Sequence, residues 1–183
     1  MKFIYLIIYT YATFVTSTIR AELIAFEQNE KWGYQNEQAQ VIISPQFIMA
    51  NDFDQGIASV IDEQGWAFID TQGKVIVRPF IFDNGPDYFI EGLSRFVQHG
   101  KMGFINEKYE IIIPAQFDFV RPFDKGMAAF CTDCQVVKFD DEHRVMRGGT
   151  WGYINKEGHI LIDQIASETA LDEISHSQVF SKK

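Results

Sequence analysis

Two cysteines separated by two residues, Cys131 and Cys134, are the clearest candidates for chemistry, and the chain contains no others. A Cys-x-x-Cys pair can be a disulfide, a redox dithiol or half of a metal site. A redox pair normally opens a helix of an α/β domain, and the surrounding sequence has no such pattern. Zinc would need two further ligands, for which His143 and Asp140 or Asp141 are the nearest candidates, without a second Cys-x-x-Cys or a His pair. The pattern therefore favours a structural disulfide and no metal site.

Carboxylates and histidines supply further reactive side chains. A carboxylate pair could serve as the acid and base of a glycosidase, but the acidic residues stand at predicted turns and strand ends, where turn formation and solvated charge explain them. These residues are Asp52, Asp54, Asp83, Asp87, Asp118 and Asp124. The four histidines share no motif, and the sequence contains no nucleophile elbow, phosphate loop, HExxH or dinucleotide fingerprint. The sequence therefore predicts a protein that is not an enzyme and needs no cofactor.

A phrase that recurs four times sets the spacing of the large aromatic residues. It reads KWGYQNEQAQVII, GWAFIDTQGKVIV, KMGFINEKYEIII and TWGYINKEGHILI. Its leading large residues recur about every 34 to 36 positions once an insertion before the last copy is set aside. Self-similarity at this period is the signature of a repeat architecture.

Each copy of the phrase predicts one small antiparallel meander. A Gly-led alternating segment such as GIASV forms the first strand, and the Trp-Gly segment forms the second. Asn or Asp followed by a tight reversal leads to a β-branched triplet, which predicts a third strand that is short and buried on both faces or nearly so. Proline then ends that strand. One meander has too little core of its own, so neighbouring units must stack to complete the burial.

The tryptophans also invite an interpretation as platforms that stack sugars or bases. Their fixed position beside a glycine favours packing instead, because glycine leaves room beside a large ring where another backbone passes closely. We therefore predict four structural anchors of the repeat: Trp32, Trp66, Met102 and Trp151.

The segments KWGYQN, GWAFIDTQGKVIVRP, KMGFINEKYEIIIP and TWGYINKEGHILI resemble the WG (or KWG) repeats of bacterial proteins. The resemblance covers about residues 23–163 and implies a β-repeat scaffold without one fixed activity. It departs from the pattern at Met102, at Ala67 and in the insertion. The predicted fold is all-β, an array of about four WG-type antiparallel meander or hairpin repeats within residues 22–166. The units lie near 23–55, 56–91, 92–125 and 126–163, and a tail over 167–183 carries a short helix near Thr169 to Ser175 or is frayed.

The insertion in the fourth unit, residues 131–149, predicts an extra hairpin. The stretches QVVKF and HRVMR flank an acidic centre, and two glycines return the chain to the Trp strand. An insertion in one unit of an array usually projects from one face, often the binding face, although a tolerated surface loop is the alternative. The candidate partner-binding residues are Phe139, Asp140, Asp141, Glu142, His143 and Arg144.

The first 21 residues have the order of regions found in a secretory signal peptide. Lys2 is followed by an uncharged apolar run from Phe3 to Val15 and then by a short polar stretch. That run is shorter than the ~20 residues that a membrane helix needs. Cleavage after Ala21 is predicted, with Ser17 as the alternative. We therefore expect export to the periplasm or cell envelope of a bacterium, with no stable membrane span after cleavage.

The net charge of the chain limits the classes of partner that it could bind. The formal net charge is −9, which opposes nucleic-acid binding and would steer a basic partner. We expect a non-catalytic module that binds a protein partner with a basic surface, in a specific form an inhibitor or immunity protein against a toxin or cell-wall enzyme. The alternative is a structural or glycan-binding protein of the cell envelope. The sequence leaves the oligomeric state and the closure of the array open.

Overall fold

The computed structural model describes residues 22–138 and 144–165. All regular secondary structure within these ranges is β-strand, and the pairings between strands are antiparallel. The predicted all-β array of meander repeats is therefore confirmed. The helix predicted near Thr169 to Ser175 lies outside the described residues.

Residues 22–98 contain ten strands, nine in the first two units and one that opens the third. They are β1 (Ile24–Gln28), β2 (Lys31–Gln35), β3 (Val41–Phe47), β4 (Met49–Ala50), β5 (Ile57–Asp62), β6 (Gly65–Asp70), β7 (Val75–Pro79), β8 (Ile81–Phe82), β9 (Gly85–Pro86) and β10 (Leu93–Gln98), the last of which opens the third unit.

The remainder of the third unit and the fourth unit contain eight further strands in the described residues. They are β11 (Lys101–Asn106), β12 (Ile111–Phe117), β13 (Phe119–Val120), β14 (Met127–Thr132), β15 (Gln135–Lys138), β16 (Arg144–Arg147), β17 (Thr150–Asn155) and β18 (Ile160–Ile165).

The third strand of each of the first three units links that unit to the next. β3 pairs with β2, bends at Ile48 and continues as β4, which pairs with β5 of the second unit. β12 and β13 repeat this arrangement around Asp118. β7 makes the same connection with one strand, because its end pairs directly with β10. The units therefore form a sequential antiparallel ribbon, which local connections favour.

A β-bulge in the third strand recurs in all four units. In the first unit Tyr34 pairs with Ile43 but Gln35 pairs with Val41, so one extra residue lies on the third strand. The same shift appears in the other three units. It turns Val41 and Ile42 outward, 53% and 49% exposed, and leaves Ile43 3% exposed. The prediction that the β-branched triplets are buried on both faces is therefore wrong for their first two residues.

Contacts between units supply the burial that one meander lacks. One buried cluster combines Tyr34 and Ile43 of the first unit with Val60 and Ile69 of the second. The turn of a unit also covers the unit before it, since the ring centroid of Tyr109 lies 4.4 Å from that of Phe68. Each unit is thus completed by its neighbours, as repeat arrays require.

Candidate binding surfaces

The glycine of the Trp-Gly pair allows the second and third strands of a unit to pack closely. A Cβ atom added at Gly33, Gly103 or Gly152 would collide with a backbone carbonyl oxygen of the third strand in the same unit. Glycine is therefore required where the bulged strand passes over it. Of the predicted anchors, Trp151 and Met102 are buried, at 1% and 5% exposure, whereas Trp32 and Trp66 are half-buried.

The second unit departs from this pattern at Trp66. Trp32 pairs with Phe47, Met102 with Phe117 and Trp151 with Ile165. The register of β6 with β7 contains only Phe68 with Val77 and Ile69 with Val75, so no third-strand residue lies opposite Trp66. The next residues of β7 already pair with β10. The strand has crossed to the third unit early, and Ala67 stands where the other units need glycine.

A cleft of about 620 Å³ lies where the third strand is missing, between the second and third units. Its walls are mainly apolar, from the half-buried ring of Trp66 to exposed side chains of the second and third units. The principal lining residues are Trp66, Ile76, Arg78, Ile81, Val97 and His99. Cavities of this size and composition are typical of ligand sites.

Arg78 closes one side of this cleft. Its guanidinium makes a bidentate ion pair with Asp62, at 2.6 and 3.0 Å, and Nη1 also donates to the carbonyl oxygen of Trp66 at 3.4 Å. The hydrogen bonds from Arg78 hold the pKa of the Asp62 carboxyl below its usual value, against a smaller opposing effect of burial. The negative charge of Asp62 is therefore kept beside Arg78, which lines the cleft.

The insertion in the fourth unit forms a hairpin that begins directly after a disulfide. Cys131 and Cys134 are joined, with their Cα atoms 6.1 Å apart, and both are buried. Next to them β15 pairs with β16, from Gln135 with Arg147 to Lys138 with Arg144. A loop this short gives the disulfide a modest effect on overall stability, so its consequence is local, at the base of the hairpin.

The predicted contact residues of the hairpin lie largely beyond what the structure describes. Phe139, Asp140, Asp141, Glu142 and His143 are outside the described residues. Arg144 begins β16, where its backbone pairs with Lys138. Among the described residues of the hairpin, Val136 and Val137 are exposed apolar side chains.

A buried ion pair is a feature that the sequence did not reveal. Arg95 Nε lies 2.7 Å from Asp87 Oδ2 and Nη2 lies 2.9 Å from Oδ1, with side-chain exposures of 6% and 4%. Arg95 also donates to the carbonyl oxygen of Val120 and stacks on the ring of Phe80 at 4.4 Å. The interpretation of Asp87 as a solvated turn carboxylate is therefore wrong, because the β8–β9 hairpin brings the chain back and buries it beside Arg95.

Comparison with known families agrees with this geometry. A family model described as a WG containing repeat matches residues 32–64, 66–101, 102–133 and 151–163, which together make up more than half of the chain. The chain belongs to the WG-repeat family. No curated protein and no solved structure matches it. Membership makes the protein a repeat module of a binding or structural kind and names no partner.

The WG-repeat chain also has electrostatic contacts that join its units. Lys156 of the fourth unit makes an ion pair with Glu91 at 3.0 Å and donates to the Glu91 carbonyl oxygen, and the Glu91 carboxylate accepts from the amide of Gly126. The hydrogen bond from Lys156 holds the pKa of Glu91 below its usual value. Burial raises the pKa of the Tyr34 hydroxyl, which donates to the Asn51 carbonyl oxygen at 2.6 Å.

Within residues 22–138 and 144–165, no group of three or more His, Cys, Asp or Glu side chains could hold a metal ion. Over the same ranges, no helix is long and apolar enough to cross a membrane.

Sequence reasoning missed the cleft and the buried pair, although weak signals of both were present. Ala67 in place of glycine marks the unit whose third strand does not pass over the Trp-Gly pair. The Asp83-Asn84-Gly85 run marks a two-residue hairpin turn, and Asp83 and Asn84 have the positive φ angles of 50° and 69° that such a turn needs.

Proposed function

We propose that this WG-repeat protein is an exported, non-catalytic binding module that recognises a protein partner with a basic surface. The observation that carries the proposal is the combination of a net charge of −9 with one hairpin added to the array directly after a disulfide. The large residues that open the phrase in the first, third and fourth units lie opposite third-strand residues and serve packing, whereas the added hairpin is a surface that the other units lack. Asp140, Asp141 and Glu142 stand at the centre of the added segment in the sequence.

Two features that favour export also support the proposal. The first 21 residues have the composition of a signal peptide, and a disulfide persists in oxidising compartments such as the bacterial periplasm. A small acidic binding module in the periplasm or cell envelope fits an inhibitor or immunity protein that blocks a toxin or cell-wall enzyme. Its acidic surface would speed the encounter with a basic partner.

Affinity capture from an envelope extract tests the proposal, with the chain expressed in full so that any leader is processed by the host. Three baits are compared: the unaltered chain, a chain lacking residues 135–147, and a chain with Asp140→Asn, Asp141→Asn and Glu142→Gln. The matched control neutralises three exposed acids of the first unit, Glu27→Gln, Glu30→Gln and Glu37→Gln. We expect one stoichiometric protein partner that the control retains and both hairpin variants lose.

The association rate of the captured partner provides a second readout. Because steering between exposed charges is screened within about 3 Å at 1 M salt, we expect the rate to fall at least about tenfold between low and molar salt. A rate that salt leaves unchanged would contradict the electrostatic part of the proposal. Recovery of glycan alone would favour the structural or glycan-binding alternative and leave the hairpin without a role in recognition.

A further inference from the structure

The second unit has a vacant strand position that the other three units fill. In each of the other units, the large residue before the glycine of the second strand pairs with an apolar residue of the third strand. These partners are Phe47 in the first unit, Phe117 in the third and Ile165 in the fourth. Trp66 has none, because β7 leaves β6 after Val77. No third-strand backbone therefore pairs with the edge of β6 at Trp66, where the carbonyl oxygen accepts only a long hydrogen bond from Arg78 Nη1, at 3.4 Å.

The side chains of the missing strand would be well buried if the space were filled. Phe47 and Phe117, which take this position in the first and third units, are 4% and 5% exposed. In the second unit the corresponding volume is the cleft of about 620 Å³ beside Trp66. The cleft is therefore shaped, by the repeat itself, for one extended segment and one large apolar side chain.

We propose that this cleft binds an extended peptide segment of a partner protein, which adds to the open edge of β6 and places a large apolar side chain against Trp66. Strand addition of this kind draws affinity from main-chain hydrogen bonds and specificity from pockets for alternate side chains. The occupant is inferred from the repeat: the first and third units already show an extended segment with a buried phenylalanine at this position, Phe47 and Phe117.

The surroundings of Trp66 fit this occupant. Ile76 and Ile81 are exposed at the rim, and Val97 lies half-buried on the wall formed by the third unit. Arg78 is held by Asp62 and already occupies the carbonyl oxygen of Trp66, at the long distance of 3.4 Å. A peptide strand would have to displace or share that hydrogen bond, so we expect binding of moderate affinity.

The cleft is separate from the fourth-unit hairpin. The inference shares with the proposed function only the class of partner, since both sites would bind a protein. A chain lacking residues 135–147 keeps the cleft residues unchanged. It should therefore bind a cleft peptide as the unaltered chain does. Failure of the hairpin proposal and failure of the cleft proposal are distinguished in this way.

The test is calorimetric titration of a synthetic peptide into the purified full chain. The probe has the sequence of residues 113–119, IPAQFDF, which runs from β12 into β13 of the third unit, with blocked ends, and its control has alanine in place of the first phenylalanine. We expect saturable one-to-one binding of the probe and at least about tenfold weaker binding of the control, because a buried phenylalanine side chain supplies much of the affinity.

Two variants locate the binding. Ile76 and Ile42 hold the same bulge position in the second and first units, and both are exposed, but only Ile76 lines the cleft. Ile76→Glu should weaken the probe at least about tenfold, because it places a charge against an apolar ligand, whereas Ile42→Glu should leave its affinity within about twofold. Equal effects of the two variants would overturn the proposal.

Three further outcomes would also overturn it. The first is no saturable binding at probe concentrations up to about 1 mM. The second is binding that appears only after residues 177–183 are removed, because the chain's own end would then be the occupant. The third is a dimer of the full chain that Ile76→Glu dissociates, because a second copy would then fill the cleft.

Discussion

At the scale of single residues, the Asp87–Arg95 pair is the most consequential interaction. Removing one partner of a buried ion pair leaves an uncompensated charge and costs about 3–5 kcal/mol. We therefore expect Arg95→Ser to lower the free energy of unfolding by that amount in urea denaturation. Arg78→Ser, which breaks the more exposed pair with Asp62, should cost about 1 kcal/mol or less.

The Asp87–Arg95 pair can be replaced by the uncharged pair of side chains that the first unit has at these positions. Asn51 and Ser59 occupy the equivalent positions there, with Asn51 Nδ2 donating to Ser59 Oγ at 2.8 Å. Adding Asp87→Asn to Arg95→Ser removes the stranded carboxylate, so the double variant should recover about 1–3 kcal/mol relative to Arg95→Ser alone. Because both variants lack the contacts of Arg95 with Val120 and Phe80, a double variant less stable than Arg95→Ser would show that the unpaired Asp87 carboxylate is not the cause of the loss.

Because the pKa of the Asp62 carboxyl is lowered in the folded protein, we expect the free energy of unfolding to depend on pH. The hydrogen bonds from Arg78 lower this pKa, so the contribution of the carboxyl is complete above the unfolded pKa of about 3.9 and is lost as the pH falls through the folded pKa. We expect Asp62→Asn to be less stable than the unaltered chain by about 0.5–1 kcal/mol at pH 7. Urea denaturation at pH 7, 5 and 3 should show the difference shrinking towards the lowest pH, and a difference that grows would contradict this.

At the scale of elements, the turn between the second and third strands holds one left-handed residue in each unit. Gly73 and Gly158 fill it in two units, but Ala39 and Tyr109 take φ angles of 58° and 60° in the others. Because a side chain is strained in this region, Ala39→Gly should stabilise the protein by up to about 1 kcal/mol.

Gly73→Ala is the matched opposite change. It should cost about 1–2 kcal/mol, since the new Cβ would also lie 3.1 Å from Ile43 Cγ2. Thermal or urea unfolding of the two variants checks both signs. Loss of stability in Ala39→Gly would mean that the flexibility added to the unfolded chain outweighs the strain removed.

The strands and their order were largely predictable from the sequence, whereas their register and the partners they change to were not. The repeated phrase predicted three strands a unit and the stacking of units, because period-two alternation and turn residues are local signals. The outward-facing residues Val41 and Ile42 were missed, because an unbroken apolar run carries no mark of a register shift. The cleft was missed for a related reason: it depends on where β7 changes partner, which is a pairing between units and is not encoded in any one of them.

At the scale of the whole molecule, stability depends on how firmly one unit is joined to the next. The second and third units share two residue pairs of sheet, Phe96 with Pro79 and Val97 with Arg78, as many as β4 and β5 or β13 and β14 supply at the other two junctions. Their joint core is a cluster in which Phe68 and Val77 of the second unit pack with Phe96 and Ile105 of the third. The cleft beside Trp66 lies at this junction, so the site proposed for a peptide also lies where the second unit joins the third.

Weakening that junction should separate the unfolding of the two halves of the array. Phe96 is 1% exposed, and Phe96→Ala should cost about 3–5 kcal/mol. In a repeat array, loss of an interface between neighbours reduces the cooperativity between them. Fluorescence of variants that keep either Trp32 or Trp151 as the sole tryptophan reports each half separately. We expect coincident urea midpoints in the parent background and separate midpoints after Phe96→Ala, whereas midpoints that stay coincident would show that the halves are coupled outside this cluster.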